Sequence, residues 1–221
     1  NSIIYSNYAL ICQQTGKIDK AITLYEKSIT SDKTNPINYS NLAGMYLNLG
    51  KIKEAEVLLK KAISIEPNFA NAYGNLGIIL QEQGKKEEAE ISLRKAIKLQ
   101  PNSEDNYLNL GIILKGLSRL KEAEIVLREA IRLNPKLYVA YIELSNILMD
   151  LRKPLEAESS ARKAIELNPK LSRCHYNLGL ILKRKGDLME AEKYLLKSLE
   201  LDPGRSEVYY SLSTFKSLSN K

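Results

Sequence analysis

The residues of this sequence best suited to specific chemistry are asparagines that recur at a fixed interval. They stand at Asn7, Asn41, Asn75 and Asn109, 34 residues apart, and again at Asn177, 68 residues after Asn109. An asparagine amide carries two hydrogen-bond donors and one acceptor oxygen, without a charge. A regular row of such groups is suited to hydrogen-bonding a series of polar groups that repeat at a regular spacing. The chemistry that this column indicates is therefore recognition by hydrogen bonds.

Residues for covalent or metal chemistry are scarce. The single histidine, His175, leaves no Ser-His or Cys-His arrangement to build, and Cys12 and Cys174 are too far apart for a metal-binding spacing. The glycines form no phosphate-binding loop. Acidic residues alternate with lysines, as in KKEEAE at 85–90, which is typical of a solvated helix face. We expect a protein that is not an enzyme and that holds no metal or cofactor.

The composition bears on partners and compartment. The net charge is +7, but the 33 Lys and Arg residues are interspersed with 26 Asp and Glu residues, so we expect no nucleic-acid partner. No run of 18 apolar residues and no signal peptide are visible, and two distant cysteines suggest a reduced protein. These features favour a cytoplasmic location away from membranes. The first residue, Asn1, is not methionine, as expected of a processed form or a piece of a longer protein.

The asparagine interval is the period of the whole chain. Units of 34 residues begin at Ser2, Pro36, Ala70, Glu104, Tyr138 and Ser172, and a half unit begins at Ser206. Position 4 is aromatic throughout: Tyr5, Tyr39, Tyr73, Tyr107, Tyr141, His175 and Tyr209. Position 20 is always alanine: Ala21, Ala55, Ala89, Ala123, Ala157 and Ala191. Position 32 is Lys33 and then proline: Pro67, Pro101, Pro135, Pro169 and Pro203.

These columns predict two helices in each unit. Positions 4, 7, 8 and 11 share one face of a first helix, and positions 17, 20, 24 and 27 share one face of a second. Small residues at positions 8, 20 and 27 allow the two helices to approach closely. Glycine at position 15 ends the first helix in most units, proline at position 32 follows the second, and Pro154 suits a first helical turn. Stacked hairpins of this kind form an all-α solenoid.

The six columns resemble the tetratricopeptide repeat over essentially the whole chain. The resemblance implies a right-handed superhelix with a concave groove, as one domain over 1–221. Its repeats are 2–35, 36–69, 70–103, 104–137, 138–171 and 172–205, with a capping helix at 206–221. Ser118 and Arg152 replace the usual turn glycine, and Gly116 is expected to end the first helix of its unit early. The final helix carries serines at 211, 213, 217 and 219, which predicts a polar outer face.

The asparagines of position 6 lie about 150° from the centre of the apolar face, so they are expected to point away from the core. Positions 2, 9 and 13 lie on the same stripe, which the resemblance places on the concave surface. The predicted binding residues are Asn7, Asn41, Asn75, Asn109, Asn177, Asn71, Asn48, Gln81, Asn146, Arg173, Lys183 and Arg184.

Two interpretations of the asparagine column remain open. In the first, successive amides bind the backbone of an extended peptide, as in the similar asparagine ladder of the tetratricopeptide arm of O-linked N-acetylglucosamine transferase. In the second, asparagine is common at this position in the family and bonds to its own neighbouring helices. The carboxylate clamp of chaperone-binding members is not expected, because position 5 carries no lysine.

The stripe changes character along the chain. It is neutral and rich in amides toward the N-terminus, whereas the C-terminal half mixes Asp105, Lys115, Glu143, Asp150, Arg173, Lys183, Arg184 and Glu207. We expect the first half to bind peptide backbone, and Arg173, Lys183 and Arg184 to meet an acidic side chain or carboxylate.

The leading prediction is an interaction scaffold for an extended peptide or a helix of a protein partner. The alternative is a non-catalytic, substrate-recruiting arm of a larger modifying enzyme, such as a glycosyltransferase.

Overall fold

The computed structural model describes residues 1–216, which form thirteen α-helices and, within that range, no strand. The helices are α1 (Ser2–Gln14), α2 (Ile18–Ser31), α3 (Pro36–Asn48), α4 (Ile52–Ile65), α5 (Ala70–Glu82), α6 (Lys86–Leu99), α7 (Glu104–Gly116), α8 (Leu120–Leu133), α9 (Tyr138–Asp150), α10 (Pro154–Leu167), α11 (Ser172–Lys185), α12 (Leu188–Leu201) and α13 (Ser206–Lys216). Each odd-numbered helix begins at the first residue of a predicted repeat.

The chain separates by its contacts into two compact units, Asn1–Ile113 and Leu114–Lys221, with the boundary inside α7. One solenoid domain over 1–221 remains a prediction. The first unit contains the hairpins α1–α2, α3–α4 and α5–α6, and the second contains α9–α10 and α11–α12. Within a unit, the second helix of each hairpin contacts the first helix of the next. The predicted fold class, an all-α solenoid of stacked hairpins, is confirmed.

Small residues bring the two helices of a hairpin together. All six alanines of position 20 are fully buried. At position 8, a Cβ atom added to Gly77 would lie 2.6 Å from Cγ of Leu93, and one added to Gly179 would lie 2.8 Å from Cγ of Leu195. The leucine of the second helix therefore occupies the space that a larger residue would need.

The aromatic residues of position 4 also hold the turn that precedes them. The hydroxyl groups of Tyr39, Tyr73, Tyr141 and Tyr209 donate hydrogen bonds to the carbonyl oxygen six residues earlier, at 3.2–3.3 Å. In the sixth repeat, Nε2 of His175 lies 2.8 Å from the equivalent carbonyl oxygen of Pro169. A histidine substitutes for tyrosine here because it combines a planar ring with a polar edge at a similar reach.

Four of the six turns within hairpins use glycine with positive φ, at Gly16, Gly50, Gly84 and Gly186. The other two place Ser118 (φ 61°) and Arg152 (φ 59°) in the same left-handed conformation. The expectation that Gly116 shortens α7 is wrong: α7 has 13 residues, like α5. The turn keeps its geometry at Ser118 although a residue with a side chain is strained there.

The last helix is described as far as Lys216, so residues 217–221 of the predicted capping helix, with Ser217 and Ser219, lie outside the described residues. Ser211 is buried rather than part of a polar outer face. Ser213 is exposed, as are the tyrosine rings at 209 and 210.

The first helix differs from its counterparts at positions 3, 7 and 10. These positions are buried in α3, α5, α9 and α11, where the preceding hairpin or helix packs on them. In α1 they are Ile4, Tyr8 and Ile11, which are 68%, 43% and 55% exposed. The first repeat therefore keeps the apolar residues of an inter-repeat contact on a surface that nothing in the described chain covers.

Ion pairs join the outer helices of successive repeats in the second unit. The side chains of Arg128 and Glu156 are 2.5 Å apart, and those of Arg162 and Glu190 are 2.8 Å apart. The surface charges, expected to be merely solvated, are thus arranged to connect neighbouring repeats, although exposed pairs each contribute little stability.

We predict that Ala89→Leu lowers the free energy of unfolding by about 1–3 kcal/mol, because the larger side chain overpacks the contact between α5 and α6. Urea denaturation followed by circular dichroism measures the change. Glu87→Leu, on the exposed side of α6, is the control and should leave stability nearly unaltered. Equal effects of the two substitutions would contradict this account of the hairpin.

We predict that Arg152→Gly raises the free energy of unfolding by about 0.5–1 kcal/mol. The left-handed conformation strains arginine but not glycine, and the greater freedom of glycine in the unfolded chain offsets part of the gain. Ser159→Gly, in the exposed middle of α10, should instead destabilise the protein by a comparable amount. A loss of stability from Arg152→Gly would show that the backbone strain at this turn is negligible.

Candidate functional site

The predicted binding residues of the first unit meet in one cleft of about 480 Å³. We name it the amide cleft, and its lining residues are Ser40, Asn41, Asn71, Gly74, Asn75, Ile78, Ser103, Asp105, Asn106 and Asn109. They come from the first helices of three successive repeats, α3, α5 and α7, and from the residue before α7. Four of the predicted residues, Asn41, Asn71, Asn75 and Asn109, are therefore brought together.

Two of these asparagines are partly used within the protein. Nδ2 of Asn75 donates to Oγ of Ser40 over 3.2 Å. Burial raises the pKa of the Tyr25 hydroxyl, and the side chain of Asn41 nearby opposes the rise, while the hydroxyl itself donates to Oε1 of Gln13 over 3.2 Å. Each amide retains further capacity, since an asparagine side chain has three hydrogen-bonding positions.

Other amides of the cleft have all of their capacity available. Within residues 1–216, the side chains of Asn71, Asn106 and Asn109 form no hydrogen bond to the protein. Asn71 is exposed, Asn109 is half-buried, and Asn106 is buried at the level of the whole residue. The cleft thus presents several unpaired donors and acceptors at the spacing of successive repeats.

Asn106 belongs to the cleft but was not among the predicted residues. It lies at position 3, which is otherwise a packing position, and a Cβ on Gly74 would come within 2.6 Å of its Oδ1 atom. The glycine at position 5 of the preceding repeat makes room for this amide. A signal was present in the sequence, since a glycine at that position precedes an asparagine at position 3 of the next repeat.

Three predicted residues of the first unit lie outside the lining of the amide cleft. Asn7 is exposed on α1, and Asn48 is exposed at the end of α3. Gln81 is half-buried near the end of α5. The stripe deduced from helical geometry is therefore longer than the cleft.

The second unit has a smaller cleft of about 200 Å³, lined by Lys115, Asn146, Met149, Asp150, Asn177, Leu180, Ile181 and Arg184. It includes the predicted residues Asn146, Asn177 and Arg184. Arg173 and Lys183 do not line it.

Asn177 departs from the expected outward position, since it is only 7% exposed. Its Nδ2 atom donates to Oγ of Ser145 over 2.6 Å, and that hydroxyl donates to the carbonyl oxygen of Ile142 over 2.7 Å. The small serine in the preceding repeat lets the amide reach inward. At this position the interpretation that asparagine bonds to its own neighbouring helices describes the observed contact.

The cations predicted to meet an acidic partner already have partners in the protein. Nη2 of Arg173 lies 2.7 Å from the carboxylate of Glu143, which is buried and also lies 3.2 Å from Nζ of Lys115. Arg184 lies 3.5 Å from Asp150, and Lys183 donates to the carbonyl oxygen of Ser211 over 3.2 Å. An incoming carboxylate would have to compete with these internal bonds.

The remaining reactive groups are held in the core. Both cysteines are free thiols and buried, and burial raises the pKa of the Cys174 thiol to about 11, which keeps it protonated at neutral pH. The ring of His175 stacks on Tyr194 with 6.1 Å between centroids. In the part of the chain that the structure describes, no three His, Cys, Asp or Glu side chains are grouped to hold a metal ion. Among the same described residues, no helix has the length and apolar character needed to cross a membrane.

We predict that Asn177→Ala lowers the free energy of unfolding by about 1–2 kcal/mol, because it leaves the buried hydroxyl of Ser145 without one partner. Asn109→Ala is the matched variant in the same column and should be neutral or slightly stabilising, since alanine is the better helix former. Thermal and urea unfolding measure both. Equal losses of stability in the two variants would contradict the distinction between Asn177, which bonds within the protein, and Asn109, which faces the cleft.

Comparisons with known proteins agree with this architecture. Residues 5–134 match the family model described as the middle TPR-like domain of cilia and flagella-associated protein 70. Two tetratricopeptide repeat models match residues 138–171 and 172–205. A comparison with curated protein sequences found no match.

Several solved structures have the same fold. PilF of Pseudomonas aeruginosa has 22% identity and a TM-score of 0.84, over 96% of this chain and 97% of that one. MamA of Desulfovibrio magneticus RS-1, as its 41-end fragment, has 26% identity and a TM-score of 0.69, over 77% and 97%. YrrB, described as a TPR protein with an unusual peptide-binding site, has 23% identity and a TM-score of 0.68, over 86% and 97%. With its repeat columns, its stacked hairpins and matches to three TPR models, this chain belongs to the tetratricopeptide repeat family.

Proposed function

We propose that this chain is a protein-interaction scaffold that binds an extended peptide segment of a partner protein in the amide cleft. The observation that carries the proposal is the set of unpaired amides on α5 and α7, where Asn71, Asn106 and Asn109 face a common cleft. An extended peptide displays alternating N–H and C=O groups, and an amide side chain can pair with either.

The amide cleft has the properties required of a backbone-binding site. Most of its lining side chains are neutral and polar, so they can bind main chain without demanding particular side chains. The half-buried Ile78 gives one apolar contact between them. YrrB, with the same fold, is a precedent for a peptide-binding site in a TPR protein.

The second unit offers a weaker case for the same activity. Asn177 is occupied by Ser145, and Arg173 and Arg184 have acidic partners. We therefore assign peptide backbone binding to the first unit and exclude the C-terminal cations from the proposed site. Interspersed ion pairs such as Arg128–Glu156 and Arg162–Glu190 also argue against a continuous basic face for nucleic acid.

The test is a peptide-library selection on the native chain, followed by affinity measurements with the double variant Asn71→Ala with Asn109→Ala. Neither side chain has a hydrogen bond within the described protein, so the variant should keep its melting temperature. We expect binding of the selected peptides to weaken at least about tenfold, as expected for the loss of two hydrogen bonds.

The control is the double variant Asn7→Ala with Asn48→Ala, which removes two amides of the predicted stripe that lie outside the cleft. It should bind like the native chain. The proposal fails if the native chain selects no peptide, or if the cleft variant binds as tightly as the control.

A further inference from the structure

Asp105 is the one charged side chain among the residues that line the amide cleft. It lies near the start of α7, between Ser103 and Asn109, which also line the cleft. Because its neighbours there are amides, hydroxyls and one isoleucine, no positive side chain shares the cleft with it.

Among the described residues, Asp105 also has no cation beside it. In the second unit, the same stripe of the first helices (positions 2, 6, 9 and 13 of a repeat) carries Glu143 and Asp150. Each of these carboxylates lies within 3.5 Å of an arginine or lysine nitrogen. No salt bridge or hydrogen bond to the Asp105 side chain exists in the described range 1–216. Glu143 and Asp150 in the second unit are therefore paired with cations, whereas Asp105 in the first unit is not.

The surroundings of Asp105 favour an incoming positive charge. Asp105 is exposed as a residue, yet desolvation by the surrounding protein raises the pKa of its carboxyl, and the neighbouring Glu104 raises it further. Both effects mean that the charged form is less stable here than in water. A cation placed beside the carboxylate would relieve both, whereas an acidic side chain would be repelled.

We propose that Asp105 receives a lysine or arginine side chain of the bound peptide, so that the amide cleft selects extended segments with one basic residue at a fixed place. This inference rests on the proposed function, since the amides must bind the peptide backbone before Asp105 can bind one of its side chains. The preference is opposite in sign to that of the carboxylate clamp and to the acidic partner expected for Arg173, Lys183 and Arg184.

Asp105→Asn keeps the shape of the side chain and removes its charge. With peptides selected by the native chain, we expect a basic residue at one fixed position and about tenfold weaker binding to the variant. The same peptides with alanine at that position should bind the native chain and Asp105→Asn equally. Asp105→Lys should reverse the preference. It should bind a peptide with glutamate at that position more tightly than the same peptide with lysine there.

Asp150→Asn is the matched control, because it removes a carboxylate that already faces Arg184 and lies in the other unit. It should leave peptide affinity unaltered, and melting temperatures check that each variant is folded. The role of Asp105 is overturned if the selected motifs have no basic position, or if Asp105→Asn binds the selected peptides as tightly as the native chain does. In both cases the proposed function stands. A native chain that selects no peptide overturns both.

Discussion

The contact between the two helices of a hairpin is the constraint on which the other features of this protein depend. It is close because alanine at position 20 and small residues at positions 8 and 27 place only small side chains at these points of the contact. In the third and sixth repeats, the leucines Leu93 and Leu195 fill the space beside a glycine. Because the same contact recurs every 34 residues, side chains one repeat apart become neighbours on the first helices of successive repeats. The amide cleft is one result.

Much of the fold could be predicted from the sequence, because the signals are local and repeated. The first helix of every repeat begins where the periodicity places it, and Pro154 stands in the first turn of α10. Even the turns at Ser118 and Arg152 keep the left-handed conformation, because the packing of the flanking helices fixes the turn. The period therefore specifies the backbone more strongly than any single residue does.

The site was less predictable, because it depends on pairs of residues from different repeats. A column of asparagines reveals the direction in which the side chains point but not what each one meets. Asn177 bonds within the protein because Ser145 stands 32 residues before it. The amide of Asn75 is partly used because Ser40 stands 35 residues before it. The bonds from four of the position-4 tyrosines to the preceding turn likewise could not be predicted from the column of aromatic residues alone.

The exposed surface of α1 has a consequence for how the protein opens. In a stacked array, each hairpin is stabilised by itself and by its contacts with neighbours, and the first hairpin of the described chain has a neighbour on one side only. Its remaining ties to the second repeat include the hydrogen bonds from Ser6 to Asn38 and from Asn38 to Ser28. Within the described chain, local opening of α1 and α2 therefore breaks contacts with one neighbouring hairpin, whereas opening of α3 and α4 breaks contacts with two. Because the lining of the amide cleft begins at α3, such opening can occur while the cleft keeps its shape.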